Sequence, residues 1–168
     1  MQFASNLNIA MCYDPKKSSS KSIISRLNKM AEDKKNVEYR DQVYYALGEV
    51  YFRDKNVDKA CTQWEESVHL STTNKQQKIT SALRAADTYF SLLEKYEKAQ
   101  MYYDTALAVM PKDYPNRANI ESRQKVLTNL VTDLRCVERW DSLIAMSMLS
   151  QEELDRRINS YIEEYKRI

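Results

Sequence analysis

Residues 44–67, YYALGEVYFRDKNVDKACTQWEES, decide the fold. Leu47 and Gly48 follow Tyr44 at three and four residues, and Tyr51 follows Gly48 at three. Steps of three and four put these side chains on one face of a helix. After the polar run Asp54-Lys55-Asn56, Ala60, Trp64 and Ser67 resume the same spacing. The stretch therefore predicts two short antiparallel helices joined by a tight turn. Gly48 and Ala60 stand where two backbones approach, and Tyr44, Leu47, Tyr51 and Trp64 fill the space around that contact. An ordinary hairpin of a helical bundle fits the same description, so recurrence of the pattern decides between the two.

The pattern recurs. Tyr13, Tyr51 and Tyr89 follow one another at 38 residues, and Ala60 to Ala99 and Ser67 to Ala106 are both steps of 39. Ala99, Tyr103 and Ala106 thus repeat Ala60, Trp64 and Ser67, with one extra residue in the second turn, and Pro111 follows. Ala85-Ala86 stands in the place of Leu47-Gly48. Spaced residues of these types resemble the tetratricopeptide repeat (TPR), W-x2-L-G-x2-Y followed by A-x3-F. The period exceeds the usual 34 residues, which reads as lengthened helices and linkers. The expected fold is all-α: a superhelical array of about three hairpins, near residues 3–33, 41–70 and 75–110, with C-terminal helices near 115–149 and 151–168, in a single domain.

Taken in order, Phe3, Leu7, Ala10 and Met11 share a face of a first helix ending at Asp14-Pro15. Ser18 to Ser20 offer an N-cap for a second helix with Ile23, Ile24, Leu27 and Met30 as its buried stripe. Lys34 to Tyr39 reads as a polar connection. Past Pro111, Tyr114-Pro115 fits a helix start, and Ile120, Leu127, Leu130, Val131, Leu134 and Val137 form a long apolar stripe. Residues from Trp140 to Leu149 continue or restart that helix. Ser150 with Glu153 is a capping box opening a last helix to Ile168, striped by Leu154, Ile158, Tyr161, Ile162 and Tyr165. Terminal helices of an array cover its open end, which is the expected role here.

Bulk composition narrows the functions. In 168 residues there is one Gly, and 26 basic residues are interspersed with 24 acidic ones. This leaves no phosphate-cradling loop and no dedicated nucleic-acid surface. No apolar run reaches membrane-spanning length. Cys12, Cys61 and Cys136 are far apart and read as small core residues, without a zinc pattern or a closed set of disulfides. The only histidine, His69, lacks partners at ligand or triad spacing. Glu65-Glu66, Glu152-Glu153 and Glu163-Glu164 are helical neighbours that point apart and are solvated. No catalytic, cofactor or metal site is expected.

An array does offer a concave surface lined by the first helix of each hairpin. Residues offset from the packing face are Gln42, Tyr45, Glu49, Phe52 and Arg53, then Thr80, Leu83, Asp87, Phe90 and Ser91, with Leu7, Met11 and Asp14 extending the line. Tyr45, Phe52 and Phe90 are the aromatic candidates for a partner peptide, with Glu49 and Arg53 fixing its polar groups. Each ring serves equally well as core against the neighbouring repeat.

Several stretches carry a narrower resemblance. LNIAMCYD, EYRDQVYYALGEVYF, YYDTALAVMPKDYPN and DLRCVERWDSLIAM, in this order, resemble the TPR lipoproteins of Bacteroidota linked to type IX secretion and gliding, of the SprE/PorW type. The resemblance implies a segment of a longer, outer-membrane-associated periplasmic chain whose partners are envelope or secretion components. The opening MQFASNLNIAMCYD, which carries no cap, agrees with the middle of such an array. A soluble adaptor for an unrelated peptide and a helical spacer of a multidomain enzyme are the alternatives.

Overall fold

A computed structural model describes residues 2–167. All regular structure among them is helical: α1 (Gln2–Met11), α2 (Lys21–Glu32), a 3-10 helix (Lys34–Tyr39), α3 (Arg40–Arg53), α4 (Val57–Leu70), α5 (Lys75–Ser91), α6 (Tyr96–Val109), α7 (Arg117–Ser147) and α8 (Gln151–Tyr165). The expected end of the last helix, Ile168, lies outside the described residues. The chain divides into two compact units, Met1–Thr128 and Asn129–Ile168, and α7 runs through the division.

In the first unit α3 packs on α4 and α5 on α6, while α4 also packs on α5, so the two central hairpins share one core. Local chemistry sets the breaks. The α3–α4 turn is closed by Lys55 at φ 61°, and the α5–α6 turn by Glu94 at φ 51°, left-handed positions that side chains other than glycine rarely occupy. These residues are 39 apart, whereas α3 and α5 end 38 apart. The extra residue of the second repeat therefore lies between the end of α5 and Glu94. Asn56 and Asn74 cap α4 and α5, accepting from the backbone N–H groups of Lys59 and Gln77 at 3.3 and 3.2 Å.

Side-chain volumes are matched across the repeats. At Gly48 an added Cβ would fall inside the indole of Trp64, overlapping Nε1 and Cδ1 and lying 2.9 Å from Cε2. The glycine thus admits a ring, where the spacing alone suggests two touching backbones. In the next hairpin the corresponding pair is Ala86 and Tyr103, a methyl group gained and a smaller ring, and both are buried. Leu47, Ala60, Trp64, Ser67, Ala99, Tyr103 and Ala106 are essentially inaccessible and Tyr89 is buried, while Tyr44 and Tyr51 are half-buried.

Ties to the first hairpin are polar as well as apolar. Arg53 Nη1 donates to the carbonyls of Ala10 and Tyr13 at 3.1 and 3.0 Å, satisfying the open end of α1. Tyr13 Oη donates to Asp54 at 2.7 Å. Ala10, Leu27, Met30 and Val43 share a core with half-buried Phe3, Leu7, Ile23 and Ile24. Met11, placed on that face by its spacing, is exposed at the C-terminal end of α1, where the helix stops.

Three further expectations are corrected. Lys34–Tyr39 forms a 3-10 helix, nucleated by Asp33 Oδ1 accepting from the Lys35 N–H at 3.0 Å. Pro115 precedes α7 and does not open it, because Asn116 takes a left-handed φ of 61° between them. Cys12 and Cys136 are exposed, and Cys61 alone is buried. Burial, reinforced by Glu65, pushes the Cys61 thiol up to about 11, which suits an inert core residue.

In the second unit α7 continues unbroken through Trp140 to Ser147. Ser150 and Glu153 form the reciprocal capping box that opens α8. Val131 is buried and Leu154 half-buried, but Leu134, Val137, Trp140, Ile158, Tyr161, Ile162 and Tyr165 are exposed.

Candidate partner-binding groove

The concave-line residues fall into two groups. The first is consumed by contacts between repeats. Glu49 is buried, and Arg84 of α5 donates to it from Nε at 2.7 Å and from Nη2 at 3.4 Å. The same guanidinium sits 4.4 Å from the centre of the Phe52 ring and 5.0 Å from that of Trp64. Phe52 in turn packs against Trp64 at 5.6 Å between ring centres. Glu49, Phe52 and Arg53 therefore join neighbouring repeats. Tyr45, half-buried beside Glu49, has its phenol pushed up by burial. Leu7, Gln42 and Thr80 are half-buried.

The second group stays open. Asp87 and Phe90 of α5 are exposed, and Phe90 leans edge-on against Tyr96. Asp87 and half-buried Leu83, both on the concave line, border one cavity. Tyr103 Oη donates to Asp87 Oδ1 in a short hydrogen bond, and Arg123 Nη1 donates to the same oxygen at 2.8 Å and to Tyr103 Oη at 3.2 Å. Burial pushes the Tyr103 phenol up to about 12, with Arg123 opposing and Asp87 reinforcing the shift. The phenol stays protonated and serves as a fixed donor. Around this triad lies an open groove of about 710 Å³, lined among others by Gln76, Leu83, Tyr114, Asn119 and Ile120. Apolar walls around a few oriented polar groups are what a side chain of a partner segment needs.

Spacing alone leaves out Arg84 and Arg123, which hold carboxylates of the concave line. They are 39 residues apart, as are the small residues of the second helices. Each pairs with the carboxylate of the preceding first helix, Glu49 or Asp87. The first turns of α7 thus occupy the place of a further first helix, and they wall the groove with Ile120 and Arg123. Gln124 Nε2 donates to Asp104 at 2.6 Å and Gln100 Nε2 to Thr128 at 3.1 Å, holding this part of α7 on α6.

Residues 39–112 match the family model of the tetratricopeptide repeat. The match spans α3 to α6, the two hairpins whose spacing agrees apart from one extra residue in the second turn, and the fold is an all-α, TPR-like helical array. TPR repeats generally mediate protein–protein interaction and are typically non-catalytic. No curated protein matches the chain in sequence. Among the described residues no group of His, Cys, Asp and Glu could hold a metal ion, and no helix is long and apolar enough to cross a membrane.

Proposed function

We propose that this chain is a non-enzymatic scaffold that holds a protein partner through the groove between α5 and the first turns of α7. The carrying observation is the contrast along the concave line. Glu49, Phe52 and Arg53 are spent on neighbouring repeats, whereas Asp87, Tyr103 and Arg123 form an oriented polar triad inside an open, partly apolar cleft. A partner segment inserts an apolar side chain between Leu83 and Ile120 and hydrogen-bonds to Arg123 or Asn119.

The setting we propose is a periplasmic envelope assembly for protein secretion or gliding motility. Its support is the resemblance of LNIAMCYD, EYRDQVYYALGEVYF, YYDTALAVMPKDYPN and DLRCVERWDSLIAM to the SprE/PorW-type lipoproteins. The test is affinity capture from source-cell envelope extracts by the parent chain and by Leu83→Glu. Envelope or secretion components retained by the parent and lost by the variant support both parts of the reading. Equal retention by both moves binding off the groove, and capture of cytoplasmic proteins alone overturns the envelope setting.

A further inference from the structure

Helix α8 carries an apolar seam that is half-buried at Leu154 and exposed beyond it. Leu154, Ile158, Tyr161 and Tyr165 follow at alternating steps of four and three, the heptad spacing of a helix that packs along one partner helix. Ile158 is 47% exposed, Tyr161 62% and Tyr165 83%, and no residue of α8 is buried. A helix of 15 residues draws little stability from its backbone alone, so a seam of this kind calls for a partner.

The charges beside the seam indicate which partner fits. Glu152 and Glu163, away from the seam, are paired within the helix with Arg156 and Arg167 at 3.7 and 3.8 Å. Arg157 and Glu164 flank the seam on one side, one heptad apart, and neither has an ion-pair partner among the described residues. In an antiparallel pair of helices, flanking positions of the same heptad place face each other. Two copies of α8 running in opposite directions therefore set Arg157 of each against Glu164 of the other, twice by symmetry, and stack Ile158 against Tyr161. A parallel pair would place Arg157 opposite Ile162 and leave that charge unmatched.

We infer that α8 is a self-association element, in which two copies of this chain pair antiparallel through Leu154, Ile158, Tyr161 and Tyr165, with reciprocal Arg157–Glu164 ion pairs. The contact is isologous, each copy presenting the same patch, and two heptads make it weak and reversible. Sedimentation equilibrium of the whole chain, from micromolar to several hundred micromolar, tests it. A monomer–dimer equilibrium is expected. Arg157→Glu and Glu164→Arg are each expected to weaken it about tenfold, because each variant turns two attractions into two repulsions. An equimolar mixture of the two variants should restore the parent affinity. A chain that stays monomeric throughout, dimers indifferent to both substitutions, or a mixture no tighter than either variant would each overturn the inference.

Discussion

Arg84 of α5 donates to the buried carboxylate of Glu49 on α3 at 2.7 Å while its guanidinium covers the Phe52 ring. One residue thereby links two successive first helices by charge and by stacking. Arg84→Ala leaves Glu49 desolvated and unpaired, and the expected loss is about 2–3 kcal/mol. The value sits below that for a fully buried pair because Arg84 is one-third exposed. Urea denaturation measures it, with Glu49→Gln/Arg84→Met as the control that removes both charges and loses less. A loss under about 0.5 kcal/mol in Arg84→Ala would mean that the pair does not couple the repeats.

Gly48 and Trp64 form the second link. Gly48→Leu drives a side chain into the indole and is expected to destabilise by about 1–3 kcal/mol. The smaller change Gly48→Ala is expected to be rescued by Trp64→Tyr, which recreates the Ala86 and Tyr103 combination of the next hairpin. Thermal melts of the two single variants and the double variant give the coupling directly. Strictly additive effects would show that the ring does not occupy the space at Gly48.

Alkaline pH probes the tyrosine cluster. Tyr89, Tyr102 and Tyr103 are buried, and each phenol is raised above its ordinary value of 10.0, chiefly by burial, with Tyr103 at about 12. The unfolded chain loses these protons first. Stability is therefore fully present below about pH 10 and falls as pH rises through the folded values. Ultraviolet titration should show a late tyrosinate phase that coincides with loss of helical circular dichroism. Tyr103→Phe should reduce the late phase. Ionisation of all tyrosines near pH 10 with helicity intact would contradict the buried cluster.

The sequence leads to the hairpins because their determinants are local. Gly48, Ala60, Ala99 and Ala106 mark close packing by size alone, and the 38- and 39-residue steps repeat it. The open site is less legible. Spacing put Glu49, Phe52 and Asp87 on one line, but only tertiary geometry separates Glu49, buried under Arg84, from Asp87, exposed beside Arg123. The step from Arg84 to Arg123 was a usable signal, since it shows the start of α7 continuing the array. Cys12 and Cys136 misled because a small apolar-like residue carries no mark of which face its helix exposes. The left-handed Asn116, which shifts the α7 start past Pro115, likewise carries no strong local signature beyond the tolerance of Asn for that region.

The groove between α5 and the first turns of α7 is tested most directly by peptide selection. A random peptide library is panned on the immobilised chain, and enriched peptides are titrated calorimetrically against the parent and against Leu83→Glu, with melting curves recorded for both. The account predicts peptides that bind the parent and lose about tenfold or more on the variant at unchanged melting temperature, because a carboxylate replaces an apolar wall of the cleft. Peptides that bind the variant as tightly as the parent would place the binding surface elsewhere and contradict it.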